Sequence, residues 1–154
     1  MHILALEEYG LRCLLQVALH DADELVSAQE IADAEGIGPE YVARIMGMLR
    51  AGGLVKSTRG ARGGDQLTRP AGEISVWSAI RVLGGDLFPE SFCDGHPGRR
   101  RECTRSTDCS IRALWQRTQG LLEEIFEPIS LEDLLRDEPA MIRSLNRVTV
   151  RHPN

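Results

Sequence analysis

The sequence predicts a mainly α winged helix-turn-helix fold, with a small β-hairpin wing and a long C-terminal dimerisation helix. Three observations predict it. Two short amphipathic helices meet at a glycine turn, a hairpin rich in glycine and arginine follows at once, and a long apolar stripe lies near the C-terminus.

The elements follow in order. Leu4, Leu11, Leu14, Leu15 and Ala18 recur at helical spacing and mark a first helix over roughly 4–20. Ser27 and Glu30 form a Ser-x-x-Glu capping box, so a second helix starts near Ala28, and Gly36 ends it. Pro39 suits the first turn of a third helix, which carries Val42, Ile45, Met46 and Leu49 on one face and stops at Gly52-Gly53. Leu54–Ser57 and Gln66–Thr68 can pair as strands around RGARGG, where glycine permits the positive φ of a tight hairpin. A further helix begins at Ser75 and closes at Gly84-Gly85.

Residues 86–108 read as an irregular loop containing the run Arg99-Arg100-Arg101. The stripe Ile111, Leu114, Trp115, Thr118, Leu121, Leu122, Ile125, Phe126 and Ile129 then steps by three and four over about five turns. A domain this small cannot cover such a stripe alone. Pairing with the same helix of a second copy about a two-fold axis covers it, making the chain a homodimer. SLEDLL (Ser130–Leu135) is a short capped helix, and the tail after Pro139 is expected to be marginally ordered. The expected organisation is a DNA-binding domain over 1–85, a cysteine loop over 86–108, the dimerisation helix with its short follower over 109–138, and a tail over 139–154.

Composition is that of a soluble globular chain, 42% hydrophobic and 27% charged. No apolar run approaches the about eighteen residues needed to span a bilayer, and the N-terminus lacks a basic leader, so no membrane association and a cytoplasmic location are expected. The net charge of −5 conceals a gradient. From Pro39 to Pro70 six basic residues (Arg44, Arg50, Lys56, Arg59, Arg62, Arg69) face two acids (Glu40, Asp65), so this segment carries +4 and the rest −9. A basic face on a helix-turn-helix predicts double-stranded DNA as partner. In a winged helix the third helix enters the major groove, which puts Glu40, Tyr41 and Arg44 at base edges and Arg59 and Arg62 of the wing at phosphate or the minor groove. No nucleotide-binding glycine loop follows a strand, and no paired carboxylates or Ser/His/Asp set stand out, so an enzyme is not expected.

Cys93, Cys103 and Cys109 cluster with nine and five residues between them. Clustered thiols in a reducing compartment bind metal or sense redox state more often than they form structural disulfides. Three readings are open. Three thiolates can hold an iron–sulfur cluster with one iron site left for another ligand. Cys93 and His96 make a Cys-x-x-His pair that, with Cys103 and Cys109, completes a Cys3His zinc site. Two of the cysteines can instead form a reversible disulfide. Spacing alone does not separate cluster from zinc. Cys13, among leucines, reads as a buried small hydrophobe.

Several motifs together resemble the Rrf2 family of bacterial regulators, the group of IscR, NsrR and RirA. They are EYGLRCLLQVA (Glu8–Ala18), RGARGGDQLTRPAGEIS (Arg59–Ser75), the three-cysteine loop, DCSIRALW (Asp108–Trp115) and SLEDLL. The resemblance covers nearly the whole chain. It implies a homodimeric DNA-binding transcription regulator that senses redox state, nitric oxide, iron or cluster status, with a [2Fe-2S] or [4Fe-4S] cluster on Cys93, Cys103 and Cys109. The histidine that one branch places three residues after the last cysteine is Arg112 here. Glu8 matches an acid that in other members reaches across from the partner subunit, so the resemblance nominates Glu8 in trans, with Glu7 or His96 as substitutes. Two departures stand out: the spacing between the first two cysteines is longer than is typical, and Ala43 and Arg44 replace acidic or glutamine side chains on the third helix.

Overall fold

In the computed structural model, which describes residues 4–21, 24–60 and 63–146, helix α1 (Ala5–Ala18) is packed against a helix-turn-helix pair. Its start is set locally, because the Glu7 carboxylate accepts the Leu4 amide hydrogen at 3.0 Å. The pair is α2 (Ala28–Glu35) and α3 (Pro39–Ala51). The Ser27/Glu30 capping box forms as expected: Ser27 Oγ accepts from the Glu30 amide at 3.2 Å and Glu30 accepts from the Ser27 amide at 2.7 Å. Gly36 closes α2 at φ +65°, a left-handed conformation open to glycine at little cost, and so makes the sharp turn into α3.

The wing is the antiparallel pair β1 (Val55–Thr58) and β2 (Gly64–Leu67), in register Val55↔Leu67 through Thr58↔Gly64. Both strands lie slightly closer to the hairpin tip than the sequence pattern suggested. Val26 bonds the outer edge of β2, with Val26 N–H donating to the Asp65 carbonyl (3.0 Å) and Asp65 N–H to the Val26 carbonyl (2.8 Å). A single 3-10 turn at Ala71–Glu73 then leads to α4 (Val76–Gly84), capped by Ser75.

Cys13, Leu14 and Val17 of α1, Ile31 of α2, Val42, Ile45, Met46 and Leu49 of α3, and Ala79 and Leu83 of α4 form one buried core. Each large aliphatic there contributes about 1.5–3 kcal/mol of transfer free energy. On α3 these are the four apolar positions that the periodicity selected.

The C-terminal half departs more from expectation. One turn, α5 (Phe92–Gly95), lies within the stretch read as irregular. Helix α6 (Ser110–Phe126) ends before the stripe does. After Pro128 the chain reverses, Ile129 is buried, and a backbone bridge joins Ser130 to Ser75, with Val76 N–H on the Ile129 carbonyl at 2.7 Å. Leu131, opening α7 (Leu131–Leu134), is fully buried in the winged-helix core. Past it, α8 (Glu138–Leu145) occupies the tail, with Asp137 capping it and Pro139 in its first turn, so the expected marginal order is replaced by a helix up to Leu145.

Candidate DNA-reading surface and cysteine-lined cavity

Glu40 and Arg44 are exposed on α3, which the core holds by its opposite face. Arg44 has the planar fork that guanine accepts, and Glu40 can accept from cytosine. Tyr41 is half-buried, its ring at 87° to Tyr9 with centroids 5.9 Å apart, so it braces α1 as well as bordering the surface. Arg59 is exposed at the wing, while Arg62 lies outside the described residues. Arg50, counted among the basic residues, does something the sequence did not signal: its Nη1 donates to both Asp65 carboxylate oxygens, each at 2.9 Å. The one available clue was an acid in an otherwise basic hairpin.

A second contact missed from sequence steadies the same unit. Arg12 of α1 donates from Nε to Glu35 Oε2 (2.6 Å) and from its guanidinium to the Glu35 carbonyl (2.6 Å), while Gln16 bonds Glu35 Oε1. The Glu35 carboxylate holds the Arg12 guanidinium more firmly protonated than usual.

Cys93, Cys103 and Cys109 line one cavity of about 360 Å3, with Arg101, Arg105 and Arg112 among its other walls. Three different features place them. Cys93 sits in α5, Cys103 opens a turn closed by Ser106 N–H on its carbonyl (3.2 Å), and Cys109 is the N-cap of α6, its Sγ accepting from the Arg112 amide at 3.4 Å. Arg112 also donates to the Ser106 carbonyl at 3.1 Å, tying the loop to α6. All three are free thiols of intermediate exposure. Among the described residues no three His, Cys, Asp or Glu side chains stand close enough to hold one ion.

The nominated fourth donors are elsewhere. The His96 ring stacks on Phe92 (4.2 Å, 14°) with Nδ1 2.7 Å from the Phe92 carbonyl oxygen, and it does not line the cavity. Glu7 is engaged as the α1 cap. Glu8 is exposed on α1, away from its own chain's cavity. Cys13 is fully buried, as expected, and burial pushes its thiol up to about 11. A larger cavity, about 520 Å3 between α4 and α6, is lined by Trp77, Arg81, Asp86, Glu90, Ser91, Gln119 and Glu123, and holds none of the nominated residues.

The stripe of α6 divides into two parts. Phe126 stacks on Trp77 of α4 (6.5 Å, 15°), whereas Ile111, Leu114 and Trp115 are 53%, 59% and 42% exposed. Among the described residues, no helix is long and apolar enough to cross a membrane.

Residues 5–137 match the sequence profile of the Rrf2 family, described as "Iron-dependent Transcriptional regulator". The chain is 31% identical over 137 residues to Protein rrf2 of Nitratidesulfovibrio vulgaris, covering 89% of each. Among solved structures, CymR (YrzC), the global cysteine regulator of B. subtilis, superposes with a TM-score of 0.68 at 29% identity, covering 89% of this chain and 99% of that one. T. potens IscR gives 0.66 at 30% identity, covering 88% and 86%. The family is one of transcriptional regulators and not of enzymes, as expected, and these neighbours share the winged-helix fold.

Proposed function

Since the chain belongs to the Rrf2 family of transcriptional regulators, we propose that it is a cytoplasmic homodimer whose DNA affinity is set by an iron–sulfur cluster on Cys93, Cys103 and Cys109. The observation carrying this reading is the one cavity that all three cysteines line, together with Arg101, Arg105 and Arg112. The donor set suits the group: soft thiolates are its preferred ligands, and the arginines offset their negative charge. Glu8 of the partner subunit is the proposed fourth donor, leaving nuclearity as [2Fe-2S] or [4Fe-4S]. When bound, such a cluster supplies a redox-labile cross-link between the loop and the partner's α1.

The chain's own residues would carry the consequence. Glu8 shares α1 with Tyr9 and Arg12, which touch Tyr41 and Glu35 on either side of the helix-turn-helix turn. Restraining α1 therefore restrains α3, and releasing it shifts the population of DNA-competent dimers. Glu40, Tyr41, Arg44, Arg59 and Arg62 form the proposed reading surface. The separated His96 ring weakens the Cys3His zinc alternative for this conformation.

Anaerobic preparation with iron, sulfide and zinc analysis and visible spectroscopy tests the reading. A brown protein with iron and sulfide in comparable amounts is expected. A colourless protein with stoichiometric zinc, or with a disulfide within the loop, would replace the cluster. Glu8→Ala should weaken cluster retention and leave the dimer intact; an unchanged spectrum removes the cross-subunit ligand.

A further inference from the structure

We infer that Arg50 is a positioning residue for DNA recognition: it holds the wing against the recognition helix and makes no phosphate contact itself. The inference rests on the reading surface proposed above. Arg50 lies in the last turn of α3, and its Nη1 engages both oxygens of Asp65 on β2. Asp65, 4% exposed, is the only charged side chain fully buried among the described residues. A buried carboxylate must be compensated, and an arginine drawn away to a phosphate would leave that charge unpaired.

The same residue is held on two further sides. Its backbone exchanges both hydrogen bonds with Val26, and β1 pairs along the inner edge of the wing. The preceding Gly64 has no room for a side chain, since a Cβ there would stand 2.9 Å from the Val26 backbone. The start of β2 is thus fixed to α3, to the segment before α2, and to its own partner strand. Such fixing sets the distance between Arg44 in one groove and Arg59 over the backbone. Removing the Arg50–Asp65 pair from the charge count leaves the segment at +4, so the electrostatic attraction to DNA does not depend on it.

The two roles of Arg50 predict opposite signs for Asp65→Asn. A phosphate-binding Arg50 would be released by that change and an anion removed, so affinity would rise. A positioning Arg50 loses its charge-assisted anchor, so affinity falls, by about tenfold, with the salt slope unchanged. The probe is the duplex that the full-length dimer enriches from a random-sequence pool, titrated at several salt concentrations. Arg44→Ala and Arg59→Ala are run alongside, each expected to reduce the salt slope by about one or to relax base preference. No effect from either of those overturns the reading surface itself. Working controls with undiminished affinity in Asp65→Asn overturn the positioning role alone. If Asp65→Asn does not fold as a dimer, Arg50→Gln carries the test: it removes the charge of the Nη1 that bonds both Asp65 oxygens, so weaker binding at unchanged salt slope is expected, and a slope reduced by about one, as for a lost phosphate contact, overturns the role.

Discussion

The rings of Tyr9 and Tyr41 meet at 87° with centroids 5.9 Å apart, joining the helix that carries Glu8 to the first turn of α3. Arg12 lies over the Tyr9 ring, 5.5 Å from its centroid, and grips Glu35 just before the turn. An edge-on aromatic pair contributes about 0.5–1.5 kcal/mol beyond its buried area. A double-mutant cycle of Tyr9→Leu and Tyr41→Leu, read by urea unfolding, should give a coupling energy in that range. Additive effects would show that the two helices are not braced through these rings.

Reactivity should separate the four cysteines. Burial pushes the Cys13 thiol up to about 11, so it keeps its proton at neutral pH and is also shielded. Brief iodoacetamide treatment of metal-free native protein at pH 8 should label Cys93, Cys103 and Cys109 by mass spectrometry and spare Cys13. Denaturation should then make Cys13 reactive.

Asp133 supplies a pH signature. Its carboxylate accepts from the Ser130 amide (3.0 Å) and hydroxyl (2.8 Å), which hold it below the usual aspartate value. With the folded value under the unfolded one of about 4, its stabilisation is complete above about pH 4 and fades as pH falls through the folded value. Asp133→Asn should cost about 1 kcal/mol at pH 7. That difference should shrink steadily below pH 4; a pH-independent difference would assign the effect to shape and not to charge.

The exposed end of the α6 stripe predicts assembly. Leu114→Asp puts a charge beside Ile111 and Trp115, which stand 53% and 42% exposed in the single chain. For the proposed dimer, light scattering should report twice the chain mass for the wild type and a monomer for the variant, and DNA affinity should fall with it. A variant that stays dimeric would place the dimer contact on another face.

Much of the DNA-binding half was legible because its signals are local. Ser27 and Glu30 are three residues apart, Gly36 makes a turn only glycine makes cheaply, and Pro39 starts a helix without needing its missing amide. The cysteine loop was legible as composition and not as geometry. His96 sits at ligand spacing from Cys93, yet Phe92 at i−4 offers a ring to stack on and a carbonyl to bond. The apolar periodicity ran on to Ile129 because a stripe does not mark where a chain leaves its helix; Pro128 and the bridge to Ser75 decide that.

The sequence by itself determined the order of the winged-helix elements, the core face of α3, the basic segment from Pro39 to Pro70 and the grouping of the three thiols. Hydrophobic period, caps and turn residues act over a few positions and need no distant partner. Only the tertiary structure decided which charges are paired within the protein. Asp65 is 15 residues from Arg50 and Glu35 is 23 from Arg12, and their pairing depends on where folding brings them. Burial makes the Asp65 pairing compulsory, because an unpaired carboxylate away from water costs more than the chain can offset nearby.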